Sequence, residues 1–181
     1  AGGICSCSTT LFNAALRAGF EMHARKNHFY YIDRYPLGLD ATVFISASGA
    51  TQTMSWRNDT KYPVLIRGYR IRKGSTGYVR FDLYSVPTGR KVVIGAPVVR
   101  NVRPASDTVQ YTTALAPGAQ KRIEYPVDGK DVWRTVTVYQ NGAVIHRYTY
   151  YSHYSRITGV VQIGKRGAAS TSPSPSPSPA P

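Results

Sequence analysis

The chain has one strongly helical segment, close to its start, which reads Gly3-Ile4-Cys5-Ser6-Cys7-Ser8-Thr9-Thr10-Leu11-Phe12-Asn13-Ala14-Ala15-Leu16. Within it, apolar residues recur at helical spacing. Leu11, Ala15 and Ala18 form one stripe, which Phe12 and Leu16 widen. This stripe predicts a helix that packs one face against the rest of the domain.

Both ends of the helix are marked in the sequence. Ser6 or Ser8 is a suitable N-cap, because a hydroxyl oxygen accepts a backbone N–H at that position. Gly19 fits the left-handed position that follows a helix C-terminus. The pattern therefore predicts a helix over residues 6–18.

The only two cysteines of the chain, Cys5 and Cys7, lie at the start of this helix. A helix N-terminus offers unpaired N–H groups and a partial positive charge, and both stabilise a thiolate. His28 and Asp40 follow Cys5 in the order of a Cys-His-Asp nucleophilic site. In such a site Cys5 attacks a carbonyl, His28 is first the base and then the acid, and Asp40 orients His28.

Each of these residues also has a plain structural interpretation. Cys5 can be an inert buried thiol, and His28 a surface residue or the cap of a turn. Asp40 precedes a strand, where an aspartate often bonds backbone groups. We expect Cys7 to face away from Cys5 into the packing layer, since two residues turn a helix by about 200°; a resolving thiol is the alternative.

Zinc is a further alternative for the same region. Cys5, Cys7, His23 and His28 are soft ligands, although their spacing is weak for a zinc site. His23 stands in a charged loop and is expected to be solvated. The Cys-His-Asp nucleophilic site requires neither metal nor cofactor, and we expect none.

Composition favours β structure after the helix. The chain holds 14 tyrosines, 16 glycines and 12 prolines, and its 42% apolar content is sufficient for a core. Strands are predicted at residues 28–32, 42–46, 53–57, 63–72, 78–86, 91–94, 97–102, 132–139 and 143–150. Asn141-Gly142 between the last two is a strong hairpin signal.

The fold class that follows is α+β. The N-terminal helix packs on a mainly antiparallel β domain at residues 1–100, and a small all-β module follows at residues 104–165. Residues 166–181 end in Ser-Pro repeats, which cannot form a core, and are expected to be a disordered linker.

The net charge of +14 limits the classes of partner. The basic residues are spread along the chain, and such a surface attracts nucleic acid, anionic lipid or acidic cell-wall polymer. Solubility alone is the alternative. No nucleic-acid motif is present, and no apolar run of about 18 residues predicts a membrane span. The oligomeric state is not predicted.

The motifs resemble a known family when they are taken in order. They are Gly2-Gly3-Ile4-Cys5, Ser8 to Leu16, Asn27-His28, Tyr35-Pro36-x-Gly38-x-Asp40-Ala41-Thr42-Val43, and Asn58-Asp59-Thr60-x-Tyr62-Pro63-Val64-Leu65-Ile66. This set looks like the VanW domain, densely over residues 1–70 and loosely over 71–100. Residues 105–164 resemble, more weakly, the five-glycine-type β module that often follows VanW domains.

The resemblance implies a location and a reaction. VanW domains are associated with glycopeptide-resistance loci and Gram-positive envelopes, and members are linked to L,D-transpeptidase activity on peptidoglycan stem peptides. It implies that Cys5 is the nucleophile, with His28 and Asp40 at the family's histidine and aspartate. Gly3, Ser6, Ser8 and Tyr35 are the expected substrate-binding residues.

Three departures from the family pattern weaken this implication. Ser6 replaces the usual Gln after the cysteine, which puts oxyanion stabilisation in doubt. Cys7 replaces a small or apolar residue, and Leu39 replaces an Arg. The alternative is a non-catalytic cell-wall-binding or glycopeptide-resistance accessory protein with the same fold.

The later residues and the chain start add two expectations. His146 and His153 stand among Tyr148, Tyr150, Tyr151 and Tyr154, which suit either a glycan-binding face or the outer face of a sheet. The chain opens on Ala-Gly-Gly without Met, so we expect an upstream part that carries any export signal. The expected location is extracellular or the cell envelope.

Overall fold

The computed structural model describes residues 3–165. It contains one helix and 13 strands in this part of the chain. The helix α1 is Ile4–Ala18. The strands are β1 (Glu21–Met22), β2 (Phe44–Ile45), β3 (Thr51–Gln52), β4 (Trp56–Arg57), β5 (Leu65–Lys73), β6 (Thr76–Tyr84), β7 (Lys91–Ile94), β8 (Val98–Arg103), β9 (Asp107–Thr112), β10 (Gln120–Glu124), β11 (Gly129–Gln140), β12 (Ala143–Tyr154) and β13 (Gly159–Gly164).

The α+β class is confirmed, with a mostly antiparallel β body around one helix. Helix α1 begins at Ile4, two residues before the predicted start, and neither serine caps it. Its N-cap is Gly3, in a left-handed conformation with φ 102°, and no side chain bonds there. Gly19 ends the helix at φ 78°, as predicted, and its N–H contacts the carbonyls of Ala15 and Leu16.

The core forms where α1 packs against the sheet. Phe12, Ala15 and Leu16 are fully buried, together with Leu39 and Val136. The next segment extends this core, since the ring of Phe20 stacks on that of Trp56 with centroids 4.8 Å apart. The predicted apolar stripe therefore does face the interior.

The long hairpin of β11 and β12 supports the helix. Its turn is Asn141-Gly142, with φ 51° and 82°, the positive angles that this two-residue turn requires. The predicted hairpin is confirmed. Strand β11 also pairs with β7 and β8, so the hairpin and these two strands form one sheet.

The predicted strand at residues 28–32 is wrong, because this segment is a loop. Its polar groups are bonded individually: the His28 N–H to the carboxylate of Asp40, and the Phe29 carbonyl to the N–H of Ser155. Single contacts of this kind replace the regular ladder of a strand.

The chain divides into two compact units. The first contains the chain up to Ala105 and Val127–Ile157. The second contains Ser106–Pro126 and, within the described range, residues 158–165, and in it β13 pairs antiparallel with β10 and parallel with β9. The domain boundaries predicted from the sequence stay a prediction.

Two further expectations concern the ends of the chain and the membrane. The predicted Ser/Pro linker at residues 166–181 lies outside the described residues. Over the described range, no helix is long and apolar enough to cross a bilayer.

Asp59, Arg90 and His146 form a buried ion cluster in the first unit. Both carboxylate oxygens of Asp59 accept bonds from Arg90, at 2.7 and 2.9 Å, and Nε2 of His146 lies 2.8 Å from Oδ2. Burial raises the pKa of Asp59, but the bonds from Arg90 and His146 outweigh it and lower this pKa to about 2. The carboxylate therefore contributes stability only while it is ionised.

We expect D59N to lower the free energy of unfolding by about 3 kcal/mol at pH 7, because it removes the negative charge that compensates the buried guanidinium of Arg90. Since the folded pKa of Asp59 lies below its unfolded value, this stabilisation is complete above about pH 4. It is lost as the pH falls from about 4 towards 2. Urea unfolding at pH 7, 4 and 2.5 measures the difference, with the exposed D33N as the control. Equal destabilisation by D59N and D33N would contradict a specific stabilising role for the carboxylate of Asp59.

Candidate active site

An open cleft of ≈ 1290 Å³ lies in the first unit. The start of α1, the loop at 25–32, the hairpin of β2 and β3, and the end of β12 form its walls. It is lined by residues 25–30, 42–45, 51–54, and Ile4, Cys5, Ile32, Tyr151, His153 and Ser155. Helix α1 thus brings one thiol to a cleft that also holds two imidazoles.

Cys5 lies in the first turn of α1 and is half-buried. Its Sγ is 3.7 Å from the carbonyl oxygen of Val43, to which the thiol donates. Cys7 is exposed. The expectation that Cys7 faces the packing layer is therefore wrong.

His28 and Asp40 form a direct pair. Nδ1 of His28 lies 2.6 Å from Oδ2 of Asp40, which also accepts the His28 backbone N–H at 2.7 Å. A carboxylate at Nδ1 fixes the proton there and leaves the lone pair on Nε2. This Nε2 is buried and has no hydrogen-bond partner among the described residues. The base of the predicted site is therefore oriented, but it does not contact the thiol.

Asp40 is held from three directions. It is 2% exposed, and Nη2 of Arg25 lies 2.8 Å from Oδ1, to which the hydroxyl of Tyr154 also donates. Burial raises the pKa of Asp40, but bonds from His28 and Tyr154 and the charge of Arg25 outweigh it and lower this pKa. Asp40 therefore stays ionised at neutral pH, as an orienting carboxylate must.

The sequence indicated neither Arg25 nor Tyr154 as part of this site. Arg25 stands in a segment that looked solvated, yet its side chain is only 3% exposed. Tyr154 is fully buried, and its oxygen also accepts the N–H of Gly38 at 3.1 Å. The only signal for Arg25 was its proximity to His28 in the chain, and Tyr154 lies 114 residues from Asp40.

The predicted substrate-binding residues occupy different environments. The hydroxyls of Ser6 and Tyr35 are 3.1 Å apart, and the buried ring of Tyr35 lies 5.0 Å from that of His28. Ser8 is buried and donates to the carbonyl of Ala41 at 2.6 Å. Gly3 is exposed at the N-cap. None of the four lines the cleft, and their role stays a prediction.

The zinc alternative and the aromatic face can also be compared with the structure. Over residues 3–165, no group of three or more His, Cys, Asp or Glu is arranged to hold a metal ion. Of the tyrosines on β12, Tyr148 and Tyr150 pack against the core and Tyr154 is buried, while Tyr151 is exposed. Only Tyr151 among these four lines the cleft.

The fold and this site define a class of protein. It is an α+β domain in which a helix-borne cysteine and a histidine line one cleft, with the histidine paired to a buried aspartate. Residues 1–83 match the family described as VanW like protein. These residues therefore form a VanW-like domain, and the recognition made from the motifs is confirmed.

One relative and two solved structures are similar to parts of the chain. "Uncharacterized protein YoaR" of Bacillus subtilis (strain 168) is 41% identical over 69 residues, which are 38% of this chain and 22% of YoaR. The chain thus matches less than a quarter of that relative's length. "IgA1 Protease G5 domain structure" is 15% identical and covers 43% of this chain and 94% of its own, at a TM-score of 0.29. "Crystal structure of HP0197-G5" is 16% identical and covers 41% and 97%, at a TM-score of 0.23.

Two tyrosines on β12 provide a matched test of the Asp40 environment. Y154F leaves the N–H of Gly38 and the carboxylate of Asp40 without their partner, so we expect the free energy of unfolding to fall by about 2 kcal/mol. The buried hydroxyl of Tyr150 has no partner among the described residues, so we expect Y150F to be neutral or stabilising. Chemical denaturation measures both, and a similar loss in each variant would contradict the assignment.

Proposed function

We propose that this chain is a cell-wall-associated protein whose VanW-like domain binds peptidoglycan in the cleft. The size and lining of the cleft carry this proposal. Its volume of ≈ 1290 Å³ exceeds the range of about 300–1,000 Å³ that is usual for small-molecule pockets, so it suits an extended peptide or glycan.

The chemistry of the lining supports an anionic ligand. The exposed Lys26 lines the cleft, and no aspartate or glutamate is among the residues that line it. Arg25 lines it too, but its guanidinium is buried and paired with Asp40. The net charge of +14 adds a long-range attraction for anionic wall polymers. Phe29 and Ile45 line it as well and are 72% and 78% exposed, which provides an apolar surface for a ligand.

The VanW-like domain supports an envelope location, because the family is associated with Gram-positive envelopes and glycopeptide-resistance loci. One local feature supports binding without catalysis. The thiol of Cys5 donates to the carbonyl of Val43 and not to the imidazole of His28. A wall-binding or resistance accessory protein requires nothing more of this residue.

The second candidate is acyl transfer of the L,D-transpeptidase type, which the unpartnered Nε2 of His28 favours. A buried polar nitrogen without a partner is costly, and such groups often have a catalytic role. Cys5 would attack the carbonyl of a D-amino-acid-containing stem peptide to give a thioester. His28 would take the thiol proton and pass it to the leaving amine, while Asp40 holds the tautomer.

Binding can be tested on purified, insoluble peptidoglycan. We expect K26E to weaken binding by about tenfold, since it reverses a charge in the cleft, whereas K121E changes the net charge equally on an exposed strand of the second unit. Co-sedimentation at fixed ionic strength measures both affinities. Equal weakening by the two variants would indicate binding by overall charge alone and would contradict a site in the cleft.

Thiol alkylation separates the two candidate functions. If His28 activates Cys5, iodoacetamide should modify Cys5 of the C7S variant at least tenfold faster than it modifies Cys7 of the C5S variant at pH 7. That advantage should disappear when H28A is added to C7S. If the protein only binds, the exposed Cys7 should react faster and H28A should change nothing. Peptide mass spectrometry assigns the modified residue.

A further inference from the structure

We propose that His153, held by Asp131, is a second proton acceptor in the cleft, which takes the proton of the acceptor amine in the second half of acyl transfer. This inference rests on the acyl-transfer reaction proposed above. His153 lies near the end of β12, lines the cleft, and has a side chain that is 52% exposed.

A carboxylate orients the imidazole of His153, as another does for His28. Its Nδ1 lies 2.6 Å from Oδ1 of Asp131, so the proton belongs on Nδ1 and the lone pair on Nε2. Among the described residues, this Nε2 has no hydrogen-bond partner. A basic nitrogen of fixed tautomer is therefore present on a ring that ligands can reach.

Asn101 and Arg103 hold the carboxylate of Asp131 in place. It is 5% exposed, and it accepts a bond from Nδ2 of Asn101 at 2.7 Å and one from Arg103 at 3.4 Å. Asn101 takes a left-handed conformation, φ 50°, that few residues other than glycine adopt. The bond from Asn101, with those from His153 and Arg103, lowers the pKa of Asp131 to about 2, so the carboxylate is ionised at neutral pH.

The two imidazoles belong to one wall of the cleft. The side-chain amide of Asn27 donates to the backbone carbonyls of both His28 and His153, at 2.8 and 2.7 Å. Close by, the N–H of Ser155 donates to the carbonyl of Phe29 at 2.7 Å. The loop that carries the first base is thus attached to the strand that carries the second.

The other two histidines lack this combination. His146 contacts Asp59 through Nε2, and it does not line the cleft. His23 lies 3.6 Å from Glu21 through Nε2 and is also absent from the lining. Only His28 and His153, of the four in the chain, pair with a carboxylate through Nδ1 at the cleft.

The proposed reaction has a proton transfer in each half, and we assign the two to different imidazoles. In the first half, His28 serves the thiol and the leaving amine. In the second half, the acceptor nitrogen attacks the thioester carbon, the new C–N bond forms and the C–S bond breaks. The sulfur of Cys5 leaves as the thiolate, and the proton of the acceptor amine passes to Nε2 of His153 and then to water. The acceptor reacts as the neutral amine, and because its nitrogen becomes positive as the C–N bond forms, removal of this one proton by a base favours the reaction.

The charged and titratable groups near His153 are few. Asp131 and Arg103 lie behind the ring, on β11 and β8. Arg25 bonds the hydroxyl of Ser152, which precedes His153 on β12, and Lys26 also lines the cleft. The three cations offer no lone pair, and Asp131 is already bonded by Asn101, Arg103 and His153. Tyr151 also lines the cleft, and desolvation and the charge of Asp131 raise the pKa of its hydroxyl. His153 is therefore the group on β12 that is suited to take a proton.

The test uses the full chain as C7S, with N-acetyl-D-alanine 4-nitrophenyl ester as donor and glycinamide as acceptor. Release of 4-nitrophenolate reports acylation of Cys5, and mass spectrometry of the amide product reports transfer. We expect H153Q to keep the initial burst and to lose about 100-fold in amide formation at pH 7, within the usual range for a lost general base. The loss should shrink as the pH approaches 10, because hydroxide is then able to take the proton from the attacking nitrogen.

D131N and H146Q complete the experiment. D131N should also lower amide formation with the burst retained, because it removes the carboxylate that fixes the tautomer of His153. His146 is on the same strand but outside the cleft, so the acyl-enzyme of H146Q should divide between water and amine in the same ratio as that of the parent. The retained burst itself shows that each variant is folded.

Two results would overturn the inference, and they are distinguishable. If H153Q and the parent divide the acyl-enzyme equally between water and amine, His153 only lines the cleft, and acyl transfer at Cys5 stands. If the parent releases no more 4-nitrophenolate than C5A, acyl transfer itself fails and the role of His153 fails with it. Peptidoglycan binding then remains as the proposed function.

Discussion

The burial of one carboxylate, that of Asp40, organises the wall of the cleft. An ionised carboxylate that is 2% exposed is tolerated only if charged and polar donors replace the water it has lost. Arg25 and His28 provide these donors from one loop, and Tyr154 provides another from the end of β12. Their convergence fixes the loop before β2 and the end of β12 around one point, and it also sets the tautomer of His28. Loss of this charge would release the loop and the imidazole together.

The features predictable from the sequence are those with a local cause. Gly19 ends the helix and Asn141-Gly142 turns the hairpin, because both positions need a positive φ. The family motifs also placed His28 and Asp40 in one site. Arg25 and Tyr154 were not predictable in this way, since each becomes part of the site only through contacts with residues distant in the chain.

The helix shows why the packing of Cys7 was mispredicted. Its buried face includes Ser8, Thr9 and Asn13, whose side chains bond the backbone of Leu39 and Ala41. A stripe defined by apolar residues alone omits these three, because the partners that make their burial favourable lie in another segment. The buried face is therefore wider than the apolar stripe on the side of Ser8, Thr9 and Asn13, and Cys7 falls on the exposed side.

The two imidazoles of the cleft differ most in their exposure. The side chain of His28 is 11% exposed and that of His153 is 52% exposed. The buried Nε2 of His28 has no hydrogen-bond partner among the described residues, and the half-buried thiol of Cys5 lines the same cleft. That thiol donates to the carbonyl of Val43 instead. Pairing of the thiol with Nε2 would therefore require the loss of its bond to Val43.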